Sequence, residues 1–184
     1  MSSELTQADF IGVWRRESLS IKGQEPFENE NVFWLHAGKH FADIRWSIET
    51  GEITSAFAGV ASWNAPEMKF QHDVDSSRVG SEDVGVLSFR DGKLIEQGEA
   101  VLENDIIPFE EIWLPVAGAT GDDCSVDFLR DDKTHRYVVR VGAYAIGMRR
   151  EGDVFSAGFW QFLEGVWNLE FSFGDVSWRG SFDA

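Results

Sequence analysis

The feature that most constrains this chain is a two-residue alternation of apolar and polar side chains along almost its whole length. The i, i+3, i+4 spacing of an amphipathic helix is nearly absent. Alternation of this kind builds strands whose two faces differ. Residues 12–21 (GVWRRESLSI) alternate cleanly, and residues 5–10 before them predict a short helical plug with an apolar end. Residues 31–37 and 40–46 flank Gly38-Lys39, and residues 54–63 and 67–74 flank Asn64-Ala65-Pro66. The clearest hairpin joins 83–90 to 93–100, because Asp91-Gly92 suits the positive φ angles of a two-residue turn. Residues 109–116 follow as another strand. Residues 117–133, rich in Gly, Asp and Thr, predict a loop and a sub-boundary. Strands over 136–148, 154–162 and 166–173 complete the chain, the first two joined by Glu151-Gly152-Asp153.

Roughly ten to twelve short strands with a turn every eight to twelve residues define an all-β, antiparallel protein, a sandwich or a barrel. Closure removes exposed strand edges, so a closed barrel spanning residues 1–184 as one domain is the expected fold. Fifteen phenylalanines, eight tryptophans and eighteen glycines against four prolines fit strands joined by glycine turns.

Composition also limits function. The formal net charge of −16 repels phosphate backbones and anionic headgroups, which argues against nucleic acid and membrane as partners. No apolar run approaches the ~20 residues that span a bilayer. A single cysteine, Cys124, forms no internal disulfide, and no secretory leader is evident; a cytoplasmic monomer or homodimer is expected.

Alternate residues on a strand share a face, so the apolar sets nominate a lining. Met68, Phe70 and His72 form one set; Leu94 and Glu96 another; Phe109, Glu111 and Trp113 a third; Phe41, Asp43 and Arg45 a fourth. If these sets face inward, Asp43, Arg45, His72, Glu96 and Glu111 line an aromatic barrel with Trp34, Trp63, Phe70 and Trp113, and these nine are the candidate ligand-binding residues. The alternative for one strand is an exposed Asp43–Arg45 pair with Ala42, Ile44 and Trp46 inward. The tryptophans either stack on a flat ligand or simply fill the core.

Other chemistries find less support. His36 and His40 bracket a turn, and no recognised metal-ligand spacing occurs. Cys124 sits beside Asp122 and Asp123, which oppose thiolate formation. Neither a G-x-S-x-G elbow nor a phosphate-binding glycine loop is present, and no cofactor is expected. Acid–base catalysis by His72 with Glu96 or Glu111, of isomerase, cyclase or hydrolase type, is the enzymatic alternative.

Gly12-Val13-Trp14 at the start of the first strand resembles the G-x-W opening of calycins, the lipocalin-type barrels. That resemblance implies a Trp closing one barrel end, packed against a basic side chain such as Arg149 or Arg179. The segments AFAGVASW (56–63), LIEQGEAV (94–101) and FEEIWLPV (109–116), with VVRV at 138–141, resemble a small calycin-like family. It includes a yeast protein named for interacting with a casein-kinase-type kinase. The resemblance implies the fold and transfers no activity. The expected function is binding of a small apolar or aromatic molecule in the barrel, with a carboxylate or phenolate suited to Arg45 and oriented also by His72. A protein-interaction module without ligand, acting through its acidic exterior or the 117–133 segment, is the remaining alternative.

Overall fold

A computed structural model of the chain describes residues 4–77, 81–102, 105–117 and 123–178. After a 3-10 turn over Gln7–Phe10 come eight strands: β1 (Gly12–Ile21), β2 (Glu30–Ala37), β3 (His40–Ser47), β4 (Ile53–Asn64), β5 (Glu67–Asp75), β6 (Glu82–Arg90), β7 (Lys93–Leu102) and β8 (Asp105–Pro115). Each pairs antiparallel with the next, and β8 pairs with β1 to close a barrel. The barrel therefore closes with eight strands rather than ten to twelve.

Beyond Pro115 the chain builds a second, open sheet. It comprises β9 (Cys124–Arg130), β10 (Thr134–Val141), β11 (Tyr144–Glu151), β12 (Val154–Leu163) and β13 (Val166–Phe173), hydrogen-bonded in the order 13-12-11-10-9. Two expectations are corrected here. The segment predicted as a loop over 117–133 carries β9, whose alternation is hidden because five of its seven residues are exposed. The single strand expected over 136–148 is a hairpin, turned at Gly142 with φ +54°. Among the described residues no helix is long and apolar enough to cross a membrane.

The two sheets create two cores. Inside the barrel, Phe10, Trp14, Trp34, Phe41, Met68, Phe70, Leu87, Leu94 and Trp113 pack together. Outside it, Leu35, Ala42, Ile44, Ala56, Ala58 and Val74 pack against Val139, Ile146, Met148, Ala157 and Phe159 of the second sheet. The alanines of β3 and β4 keep the barrel wall thin there, so larger side chains of the second sheet fill the space between layers. Trp46 stacks on Phe171 with centroids 4.5 Å apart and planes 6° off parallel, and Phe33 stacks on Phe159 at 4.5 Å.

A bulge ties the layers together. Gly59 pairs with His72 and Ala58 with Val74, so Asp73 is the extra residue on β5. Its carboxylate accepts hydrogen bonds from the Tyr137 hydroxyl at 2.7 Å and from Arg130 at 3.0 Å. The Arg150 guanidinium donates to the carbonyls of Asp75 and Ser76 at 2.6 and 2.9 Å. The bulge also reverses parity: His72 points into the barrel, whereas Val74, two residues on, points out.

Candidate functional site in the barrel interior

One end of the barrel is sealed. The 3-10 turn lays Phe10, 0% exposed, across the ends of β1, β4 and β6, with its ring 4.8 Å from Trp63 and 5.8 Å from Phe89. The Trp14 indole N–H donates to the Phe10 carbonyl at 2.9 Å and that of Trp63 to the Leu5 carbonyl at 3.0 Å. Gln7 donates to the carbonyls of Gly38 and Ala61. Trp63 thus belongs to the plug, not to the cavity lining. Trp14 stacks on Trp34 rather than on a cation: Arg149 pairs with Glu151 on the second sheet, and Arg179 lies outside the described residues.

Above the plug the barrel holds a cavity that, with its mouth, measures about 1080 Å³. The opening has a structural cause. The β6–β7 ladder begins at Arg90–Lys93 and stops at Gly85–Gly98, whereas β7 stays paired with β8 as far as Leu102. The wall parts there, and the lining runs out past Asp83, Glu99 and Val101. Of the nine candidate residues, Trp34, Asp43, Arg45, Phe70, Glu96, Glu111 and Trp113 line this space; Trp63 and His72 do not.

The polar wall is organised around Arg16, which was not among those candidates. Its guanidinium donates from Nη1 to Glu111 at 2.6 Å, from Nε to Glu28 at 2.8 Å and from Nη2 to Glu30 at 2.8 Å. Burial works against this charge, but the carboxylates of Glu28 and Glu111 outweigh it and hold the guanidinium above the ordinary arginine range. The signal was present: alternation from Gly12 through Trp14 places Arg16 on the plug-facing side. Phe57 was likewise missed; it lines the cavity beneath the Arg45 guanidinium, 5.3 Å from its ring centroid.

Arg45 donates to Asp43 from Nε at 2.8 Å and lies 3.7 Å from Glu111. Burial pushes the Asp43 carboxyl up and Arg45 pulls it partly back. Because Arg45 is already engaged by a carboxylate from its own strand, it does not stand ready for an anionic ligand. The full lining carries eight carboxyl-bearing residues against two arginines, which also disfavours a carboxylate or phenolate ligand.

Glu96 and Glu111 sit directly opposite each other on β7 and β8. Both face inward, so two carboxyls compete for one enclosed space. Burial first, and then the charge of Glu111, push Glu96 up to about 8, so its carboxyl is protonated at neutral pH. The Glu96 side chain runs close past Gly85 of β6, where a Cβ would fall 2.4 Å from Glu96 Oε1.

His72 is inward but engaged elsewhere. Its Nδ1 lies 2.7 Å from Asp75 and its Nε2 3.1 Å from Asp83, and the ring stacks on Phe57 at 4.3 Å. His72 is therefore committed to two carboxylates, and of the residues it touches Phe57 and Asp83 line the cavity although the imidazole itself does not. Burial disfavours the imidazolium, but Asp75 and Asp83 overcome it and raise His72 to about 9. Because the folded pKa lies above the unfolded value of about 6.5, this contact stabilises fully below pH 6.5 and is lost as pH rises through 9. After discounting for solvent screening, His72→Gln is expected to cost about 1–2 kcal/mol near pH 6 and far less above pH 9, measured by urea unfolding across that range. An equal loss at both ends would remove the imidazolium from the account.

His36 and His40 do not meet. His36 pairs with Phe41 and His40 with Ala37, so one ring faces the barrel interior and the other the second sheet. Burial pushes His36 down to about 4, leaving it neutral. Among the described residues no group of three or more His, Cys, Asp or Glu side chains is placed to hold a metal ion.

A closed eight-stranded barrel, plugged at one end, opened at a split in its wall and backed by a five-stranded sheet, is the class of protein these features define. Residues 12–179 match the family model described as Protein HRI1, and the chain belongs to that family. Among solved structures it is similar to the uncharacterized protein YLR301w of Saccharomyces cerevisiae, at 15% identity and a TM-score of 0.74, over 89% of this chain and 85% of that one. At that identity the likeness concerns the fold. No curated protein matches the chain.

Proposed function

We propose that this protein is a calycin-like binding protein that holds a small molecule with an apolar or aromatic body inside the barrel. The observation that carries the reading is the cavity itself. At about 1080 Å³ with its mouth, it reaches the upper size of small-molecule sites, in a domain where close packing is the rule. Its walls combine Trp34, Phe41, Phe57, Phe70 and Trp113 with a few fixed charged groups, the mixture that buries a ligand body and orients it. A barrel built only for stability gains nothing from leaving such rings short of contacts, since an unfilled void forfeits their dispersion energy.

Two measurements test the reading. Native mass spectrometry of freshly purified protein, followed by organic extraction, is expected to show a bound molecule that extraction removes. Titration with the uncharged dye N-phenyl-1-naphthylamine is expected to raise dye fluorescence. Ala100→Trp, which places a large ring at the mouth between Gly98 and Leu102, is expected to weaken that binding at least tenfold. A bare mass together with a dye response indifferent to Ala100→Trp would sink the proposal.

A further inference from the structure

We propose that the molecule selected by this cavity is an organic cation with an aromatic or apolar body, its charge set against the Glu96 carboxylate and the surrounding rings. The inference rests on the binding reading above. Five carboxyls of the cavity and its mouth already have cationic partners: Glu30 and Glu111 meet Arg16, Asp43 meets Arg45, Glu82 meets Lys69, and Asp83 meets His72. Glu67 and Glu99 are exposed at the outside. Glu96 differs from all of these. It faces inward and makes no ion pair with any described residue.

A second, independent feature points at the same carboxyl. Trp113 is 1% exposed, and its indole N–H is buried without a full hydrogen bond. It lies close enough to Glu96 to offset part of the upward pull on that group. An indole N–H is a donor only, so it gains a strong partner when Glu96 ionises and a weaker one while the carboxyl is protonated. The protein thus holds a donor suited to a carboxylate at a carboxyl that its own groups keep protonated.

The groups facing Glu96 explain why it stays protonated. Glu111 from β8 and Asp43 from β3 oppose ionisation, whereas Arg45 from β3 favours it but is held by Asp43; Arg16 from β1 is committed to three other carboxylates. Across β6, Gly85 brings no charge. A cation entering this space supplies the missing partner and displaces the proton from Glu96 to solvent. The rings beside it suit the rest of such a ligand. Trp34 meets Phe70 at 5.6 Å and 83° and Trp113 at 5.7 Å and 68°, an edge-to-face box of the kind that receives quaternary ammonium groups.

The test uses (1-naphthylmethyl)trimethylammonium, its uncharged carbon isostere, and 1-naphthylmethanesulfonate, each titrated calorimetrically into the full chain between about pH 6 and 9. The permanent charge of the first probe assigns any pH dependence to the protein. The cation is expected to bind at least tenfold more tightly than the isostere at neutral pH. Its affinity is expected to rise towards tenfold per pH unit up to about 8, with nearly one proton released per ligand at the acid end. In Glu96→Gln the cation is expected to lose at least tenfold in affinity and its pH dependence, while the isostere binds as before. Equal binding of cation and isostere, a preference for the sulfonate, or an unchanged cation preference in Glu96→Gln overturns the inference and leaves the cavity reading standing. Failure of all three probes to bind overturns both.

Discussion

Replacing Arg16 with methionine is expected to destabilise the protein by about 3–5 kcal/mol, the usual cost of removing one partner from a buried ion cluster. The guanidinium side chain is 1% exposed and serves Glu28, Glu30 and Glu111 at once. Methionine fills much of the volume and leaves three carboxylates around an apolar tip. Glu28 and Glu30 retain 17% and 20% exposure and can turn towards water, but Glu111, at 7%, has little escape. Arg16→Lys keeps the charge and is expected to recover less than half of the loss, because one ammonium cannot match the fork that reaches three separate carboxylates. Adding Glu111→Leu to Arg16→Met is expected to restore part of the stability. A urea midpoint for Arg16→Met within the error of the parent would show that the cluster stores no net stability.

Glu96→Gln is expected to act in the opposite direction. The folded protein holds the Glu96 proton up to about pH 8, whereas the unfolded chain releases it near 4.3, so between these values the folded state binds more protons. Stability therefore falls as pH rises through this window, and the loss is complete near 8. Glutamine keeps the shape and cannot ionise. The variant is expected to match the parent near pH 4.5 and to exceed it near pH 8 by an amount on the order of 4–5 kcal/mol. Above pH 6.5 a slope from His72 remains in both proteins and cancels in the comparison. Parallel stability curves for parent and variant would show that Glu96 ionises freely in the fold.

Much of the barrel was legible from periodicity alone, and β1 runs over the very residues whose alternation predicted it. Four sets of side chains assigned to one face by parity, including Asp43 with Arg45 and Glu96 with Leu94, do face inward. The contacts that parity did not disclose lie at irregularities. Arg16 precedes a bulge at which β1 shifts register, so that Leu19 and Ile21 take over its inward face. His72 precedes the Asp73 bulge, whose extra residue brings Asp75 round to meet the imidazole. The C-terminal strands were harder to read because the second sheet has one buried face and an outer face where residues such as Leu129 and Leu169 are exposed.

By itself the sequence determined that this chain is antiparallel β, where its hairpins turn, and which side chains of a strand travel together, because a strand's geometry has a period of two whatever it packs against. Only the tertiary structure decided which of two apolar faces holds the cavity. On β3 both sets are buried, Phe41 and Asp43 in the barrel and Ala42 and Ile44 beneath the second sheet, so neither burial nor polarity along that strand separates inside from outside. The partners of Arg16 and the isolation of Glu96 were likewise decided across strands, since they depend on ladder register and on where the β6–β7 pairing stops, and local spacing carries no record of either.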